Sequence, residues 1–224
     1  MPDFLIKPVA KIKNGYNEKF GVPRQSGLAP DVKSEIVFEK EFRDENLIRD
    51  IEQYSHLWLI WGFSENNEKW SATVRPPKLG GNKRVGVFAT RSPYRPNSLG
   101  LSVVRLEEIK NSKDGKILVV SGADLVNATP IFDIKPYLPY ADSIPTAKGG
   151  FSEEYKNDFL NVTILKEAEA VVPAEELEEI KEILSLNPRP AYQNDEERVY
   201  GLSYKNSEVK FKYCESGILI IGIG

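Results

Sequence analysis

Leu99-Gly-Leu-Ser-Val-Val-Arg-Leu-Glu-Glu-Ile109 and Lys116-Ile-Leu-Val-Val-Ser-Gly-Ala-Asp-Leu-Val126 flank the pair Asp114-Gly115. Both runs are rich in β-branched and large apolar residues, which fit a pleated surface. Asp-Gly tolerates the positive backbone angles of a tight hairpin turn. The stretch therefore predicts two antiparallel strands. Ser34 to Phe42 alternates and reads as another, and Phe4 to Ile12 as one with broken alternation. Ser55 to Phe63 is too apolar for a half-exposed strand and reads as a buried one, with Trp58 and Trp61 in the core. Ser71 to Val74, Arg84 to Ala89 and Ile131 to Ile134 add three short strands. Asp44 is a candidate N-cap for a short helix carrying Leu47, Ile48 and Ile51.

Many short strands with Gly and Pro punctuation predict a mainly β protein built on a compact antiparallel β-barrel. No Gly-x-Gly-x-x-Gly follows a strand, and no regular strand-helix alternation appears, so a doubly wound nucleotide fold is not expected. After about residue 145 the pattern changes. Ser143-Ile-Pro-Thr-Ala-Lys-Gly-Gly150 has the composition of a linker. Phe159 to Leu165 reads as a strand. Pro173 fits the first turn of a helix whose Leu177, Ile180 and Leu184 share a face, and Asn187-Pro188 stops it. Val199 to Tyr204, Val209 to Tyr213 and Ile218 to Ile223 complete a small α+β unit. The expected organisation is residues 1–145, a linker over 146–158, and a C-terminal unit over 159–224.

Apolar residues make up 41% of the 224 residues and charged residues 28%, which suits a globular chain with a real core. No apolar run is long enough to span a bilayer as a helix. Met1-Pro-Asp-Phe4 lacks the basic and apolar segments of a secretory signal, so a cytoplasmic location is expected. One cysteine, Cys214, excludes an internal disulfide, and with one histidine it makes a structural metal site unexpected. The net charge is only −3. Its distribution is uneven: Lys69, Arg75, Lys78, Lys83, Arg84, Arg91, Arg95 and Arg105 fall in a stretch without a single acid, while Glu167 to Glu197 is acidic. Segregated positive charge makes a phosphate-binding surface, or a solvated face paired elsewhere in the fold.

Two segments concentrate polar chemistry. Thr90-Arg-Ser-Pro-Tyr-Arg-Pro-Asn97 crowds two arginines, a tyrosine and an asparagine into a proline-stiffened loop. Asp124-Leu-Val-Asn127 and Asp133-Ile-Lys135 interleave acids and amides with apolar residues. Asp124 can accept hydrogen bonds from a bound amine or ribose, or satisfy turn donors of its own backbone. Asp133 beside Lys135 reads equally as a structural ion pair. His56, between Ser55 and large apolar residues, reads as a buried structural histidine rather than a base.

Pro23-Arg-Gln-Ser-Gly-Leu28, Ser55-His-Leu-Trp58, Thr73-Val-Arg-Pro-Pro-Lys-Leu-Gly-Gly-Asn82, Gly86-Val-Phe-Ala-Thr-Arg-Ser-Pro-Tyr-Arg-Pro-Asn97 and Asp133-Ile-Lys-Pro-Tyr-Leu-Pro139 together resemble the TsaA/TrmO-like family. Asn187-Pro-Arg-Pro-Ala-Tyr192 is similar to its C-terminal extension. The resemblance implies a barrel that binds S-adenosylmethionine without a Rossmann sheet, a homodimer with the cofactor pocket near the subunit interface, and methylation of threonylcarbamoyladenosine in transfer RNA. Carried onto this chain, the implied cofactor contacts are Gln25, Ser26, Gly27, Arg91, Leu101, Asp124, Leu125, Val126 and Asn127, with Ser64 and Glu65 at a position where the family varies. Ser98-Leu99 stands where a Pro-Ile pair is common.

Methyl transfer to a urea-like nitrogen needs orientation and a place for the departing proton. Asp124 or Asp133, directly or through water, is the candidate catalytic carboxylate. Arg84, Arg95 and Lys135 are the candidates for RNA contact, since a cation suits a phosphate and a guanidinium can grip phosphate or the threonyl carboxylate through two bonds. The expected division gives Arg91 to the cofactor and Arg95 to the RNA. The competing expectation is a non-catalytic S-adenosylmethionine- or RNA-binding regulator. A hydrolase is disfavoured because no nucleophile-histidine pairing is visible.

Overall fold

The computed structural model describes residues 5–66, 69–155, 159–169, 171–189, 195 and 198–224. Its first half contains β1 (Ala10–Lys13), β2 (Lys33–Phe38), β3 (His56–Gly62), β4 (Thr73–Val74), β5 (Val85–Gly86), β6 (Leu99–Ser112), β7 (Gly115–Ser121) and β8 (Pro130–Pro136). Six of these strands close on themselves in the order β1-β2-β7-β6-β3-β8, and each neighbouring pair is antiparallel. β4 and β5 form a separate two-stranded ribbon within the long β3–β6 connection.

The hairpin expected around Asp114-Gly115 is present, with its reversal one residue early. Ser112 pairs with Gly115, so Lys113-Asp114 make the turn. Gly115 comes next at φ 90°, a conformation that favours glycine, and Ser112 Oγ accepts from Asp114 N at 3.1 Å. β3 differs from expectation on one face. Leu57, Leu59 and Trp61 are buried inside the barrel, while His56, Trp58 and Ile60 are half-buried on its outside. A strand in a closed sheet has one inner face only. The outer face stays apolar because the chain after β8 covers it. Tyr137 lies 5.8 Å from the Trp58 ring, and Trp58 Nε1 donates to Asp142 Oδ2 at 2.9 Å. His56 bonds Ser55 Oγ at 2.9 Å and is half-buried, not buried. The helix expected after Asp44 is two 3₁₀ turns, Glu45–Ile48 and Ile51–Gln53, interrupted by Asp50 at φ 65°. Asp44 does cap the first, accepting from Asn46 N at 2.9 Å.

The chain then passes through α1 (Pro139–Asp142) to β9 (Val162–Ile164), α2 (Lys166–Glu169), α3 (Ala174–Ser185), β10 (Tyr200–Tyr204), β11 (Ser207–Cys214) and β12 (Gly217–Ile223). The last four strands form one sheet in the order β10-β11-β12-β9, with β9 parallel to β12. Pro173 sits at the cap of α3 rather than inside it, and its carbonyl accepts from Leu177 N at 3.0 Å. Leu177, Ile180, Ile183 and Leu184 bury one face of α3 against this sheet.

The two core clusters do not divide where the composition changes. One fills the barrel. The other, around α3 and the C-terminal sheet, includes Tyr16, Ala29 and Val32, with Phe20 and Val22 packed against it. The connection between β1 and β2 therefore leaves the barrel, packs on the C-terminal unit and returns. Tyr16 bridges to Tyr204, and Lys205 N donates to Gly15 O at 2.9 Å.

Glu182 of α3 sits at this junction, with its Oε2 buried and without a hydrogen-bond partner. Burial, then the negative charge of Asp31, push its carboxyl up to about 7. A raised pKa means that its contribution to stability is complete below the ordinary carboxylate range and is lost as pH rises through about 7. Glu182→Gln is expected to melt higher than the parent at pH 8, with the two curves converging towards pH 4. Thermal unfolding across that range checks it, and a constant offset would contradict it.

Candidate functional site

A cavity of about 640 Å³ opens beside the barrel. The β1–β2 connection contributes Val22 to Gln25, the end of β3 Trp61, and the start of β6 Gly100 and Leu101. The loops after β3 and β5 add Phe63 to Asn66, Thr90, Arg91 and Pro93 to Arg95, and the turn after β7 adds Asp124 and Val126. Its size lies within the range usual for small-molecule sites.

A hydrogen-bond chain anchors the floor. Trp61 Nε1 donates to Ser102 Oγ at 2.9 Å, and Ser102 Oγ donates to Asp124 Oδ1 at 2.5 Å. Trp61 pairs with Gly100 across β3 and β6, and a Cβ on Gly100 would come within 2.3 Å of the indole. The Trp61 ring meets Phe63 edge to face at 4.4 Å. Burial raises the Asp124 carboxyl above its ordinary range. The Ser102 bond, backbone donors and the positive charge of Arg91 pull the other way.

The rim is stapled. Arg91 Nη1 donates to Gln25 Oε1 at 2.6 Å, and Gln25 Nε2 donates to Arg24 O at 2.5 Å. Arg95 Nη1 donates to Thr90 O at 2.9 Å and Ser92 O at 3.4 Å, so its guanidinium braces the loop it belongs to. Lys19 Nζ reaches Glu65 O at 2.7 Å. The cavity thus brings together a half-buried carboxylate, aromatic walls and an arginine. Such an arrangement suits a ligand with a cationic centre near Asp124 and an anionic group near Arg91.

Against this geometry stand the comparisons with known proteins. A family profile described as the tRNA-methyltransferase O N-terminal domain matches residues 11–143, and the TrmO C-terminal domain matches residues 157–224. The chain belongs to the tRNA-methyltransferase O family. The tRNA (adenine(37)-N6)-methyltransferase of Escherichia coli K12 is 37% identical over 232 residues, covering 100% of this chain and 99% of that protein. A protein of the same name from Eikenella corrodens is 42% identical over 170 residues, 75% of this chain and 95% of that one. A crystal structure of TrmO from Pseudomonas aeruginosa superposes with a TM-score of 0.81 at 29% identity, covering 100% and 99% of the two chains.

Of the cofactor contacts that the TrmO resemblance implied, Gln25, Ser64, Glu65, Arg91, Leu101, Asp124 and Val126 line the cavity. Four others are spent on its frame. Ser26 Oγ accepts from Val103 N at 3.2 Å, and Gly27 N donates to Gly122 O at 2.8 Å. Leu125 is wholly buried in the barrel core, and Asn127 Oδ1 accepts from Asn14 N at 3.1 Å. Asp133 lies opposite Ile60 on the outer side of the barrel, ion-paired with Lys135 at 2.9 Å, and neither lines the cavity. Arg84 is on the β4–β5 ribbon, with Nε on Thr73 Oγ1 at 2.8 Å. Arg95, expected to face RNA, lines the cavity itself.

Sequence reading missed Trp61, Phe63 and Lys19 as lining residues, while Tyr94 belongs to the polar loop it singled out. Trp61 was expected as core, and it does belong to the barrel core while one edge faces the cavity. Its role depends on the cross-strand register with Gly100, which no local pattern reveals. Pro190 to Tyr192 of the C-terminal motif lie outside the described residues. Among the described residues, no group of histidine, cysteine or acidic side chains is placed to hold a metal ion, and no helix is long and apolar enough to cross a membrane.

Proposed function

We propose that this chain uses S-adenosylmethionine to methylate N6 of threonylcarbamoyladenosine at position 37 of transfer RNA, next to the anticodon. The observation that carries the proposal is the presence, in one cavity, of the half-buried Asp124 carboxylate together with Arg91. S-Adenosylmethionine carries a sulfonium, an ammonium and a carboxylate, and it supplies the activated methyl group when bound. In this reading Asp124 attracts the positive charge, Arg91 and Gln25 hold the carboxylate end, and Trp61 and Phe63 form the apolar wall that keeps water out. The names of relatives support the donor: one from Pseudomonas aeruginosa, 37% identical over 218 residues, is named as an S-adenosylmethionine-dependent methyltransferase. The barrel end is the cofactor scaffold, residues 1–145 are the methyl-transfer unit and residues 159–224 its support.

As the methyl–sulfur bond would break to leave a neutral thioether and the carbon–nitrogen bond would form, the accepting nitrogen has to lose its proton. Asp124 is the acceptor in this reading, because its carboxylate faces the cavity and donor binding holds it ionised. Asp133 is left as half of an outer ion pair.

RNA is assigned to the mouth of the cavity. Trp70 is 58% exposed, Phe88 78% and Tyr94 41%, and exposed Lys69, Arg75, Lys83 and Arg84 surround them in sequence. Ser71 N donates to Tyr94 O at 3.2 Å, which brings Trp70 beside Tyr94, and the Arg95 guanidinium lies 6.0 Å from the Phe88 ring centre. Exposed rings among cations suit unstacked bases of an RNA loop. Trp70→Ala is expected to weaken transfer-RNA binding about fivefold to a hundredfold, the range of one lost stacking contact, with donor affinity unchanged. Filter binding and calorimetry measure the two separately. Loss of donor affinity instead would remove Trp70 from this role.

The deciding experiment incubates the protein with labelled S-adenosylmethionine and RNA from cells with and without the threonylcarbamoyl modification. Label in the modified nucleoside alone supports the proposal. Donor binding with no label in either RNA would leave a binding regulator. A homodimer acting in the cytoplasm completes the proposal. The exposed Leu101 beside the cavity is the surface residue that favours a second subunit there, and light scattering tests it.

A further inference from the structure

The β1–β2 connection is held at both ends by the C-terminal unit. Tyr16, Phe20 and Val22 pack on that core before the cavity, and Ala29 and Val32 after it. Between those anchors, Pro23, Arg24 and Gln25 line the cavity. Gly21 takes φ 90° and lies so close to Leu202 of β10 that a Cβ would collide with it. The strap is therefore shaped by a domain that contributes no described residue to the cavity.

A polar chain reinforces the packing at the centre of the strap. Asn187, just beyond α3, turns at φ 54°, and its N–H bonds Leu184 O at 3.0 Å. Tyr213 Oη donates to Asn187 Oδ1 at 3.2 Å and accepts from Arg189 N at 3.2 Å, while the Arg189 guanidinium stacks 4.0 Å from the Tyr213 ring centre. This fixed turn presents two carbonyls, Asn187 O and Arg189 O, to Arg24 Nη2 at 3.1 and 3.3 Å. Arg24 O in turn accepts from Gln25 Nε2, and Gln25 Oε1 accepts from Arg91.

We infer that the C-terminal unit sets donor affinity from outside the cavity, with Tyr213 and Asn187 as positioning residues that act on Gln25 and Arg91 through Arg24. This assignment rests on the proposal that the cavity binds S-adenosylmethionine. The physical basis is preorganisation. A strap held in its bound shape loses less entropy when the ligand arrives, so affinity rises without a new contact. The same logic gives the C-terminal domain a task that requires no basic RNA-binding motif.

Tyr213→Phe removes one hydroxyl and keeps the ring. Arg24→Gln changes an exposed side chain and leaves both cores intact. Each is expected to raise the calorimetric Kd for S-adenosylmethionine about three- to tenfold, the yield of a hydrogen bond or two. In Tyr213→Phe, the KM for the donor should rise by the same factor while kcat at saturating donor stays within about twofold, because bound donor pulls the strap into place. A merely structural role would lower the melting temperature and the fraction of binding-competent protein, without moving Kd. Unchanged Kd in Tyr213→Phe, whatever Arg24→Gln does from its place in the cavity lining, or a loss of kcat with constant donor KM, overturns the inference. A wild-type protein that does not bind the donor overturns the cavity assignment itself, and this inference with it.

Discussion

Asp124→Asn is expected to raise the Kd for S-adenosylmethionine about a hundredfold without lowering the melting temperature. The affinity loss comes from removing one charge of a desolvated pair, which costs roughly 2–5 kcal/mol. The stability outcome comes from the sign of the pKa shift. Asp124 has a carboxyl raised chiefly by burial, so in the free protein its contribution to stability is present below the ordinary carboxylate range and lost as pH rises through the folded value. An amide carries no such penalty and can still accept from Ser102 Oγ through Oδ1, as Asp124 does at 2.5 Å. Most disruptive substitutions lower affinity and stability together; this one should separate them. The same sign predicts that donor binding weakens as pH falls through the raised value, and that binding near it releases a proton. Calorimetry in buffers of different ionisation enthalpy reads that proton directly. A variant with wild-type affinity would mean that the sulfonium end lies elsewhere in the cavity.

The β class of the first half was legible because its signals are local. The hairpin around Asp114-Gly115, the alternation of β2 and the apolar β3 each occupy short stretches of chain. The mainly β class follows from the number and spacing of strands, not from any one of them. The shared core was not legible. Tyr16, Ala29 and Val32 look like residues of an irregular loop, and only the tertiary fold gives them partners on α3 and the C-terminal sheet. The site shows the same division. Arg91 and Asp124 stood out as polar residues in stiff or polar-rich segments, Gln25 came only with the family resemblance, and all three line the cavity. Asp133 and Lys135 had equal chemical promise, and strand register turned them to the outer face of the barrel. Side-chain direction in a strand alternates residue by residue, so a bulge such as that between Ile60 and Trp61 redirects the side chains beyond it.

Gly100 carries the second large effect, and it acts through space rather than backbone angle. Gly100 is absent from the positive-φ positions, so alanine can adopt its conformation. The obstacle is the Trp61 indole, whose nearest atom lies 2.3 Å from where a Cβ would be. Trp61 cannot retreat freely, because its Nε1 is bonded to Ser102 Oγ and its ring is wedged against Phe63. Gly100→Ala should therefore tilt the indole, break the Trp61–Ser102–Asp124 chain and shrink the cavity. The expected cost is about 1–3 kcal/mol of stability, the usual range for overpacking. Donor affinity should fall by about tenfold or more, since a single lost charge-assisted hydrogen bond already accounts for that factor. A double-mutant cycle isolates the cause. With Trp61→Leu the ring is gone, and adding Gly100→Ala to it should cost almost nothing, giving a coupling of about 1–2 kcal/mol in urea unfolding. Additive losses would show that Gly100 is needed for its backbone and not for the ring it admits.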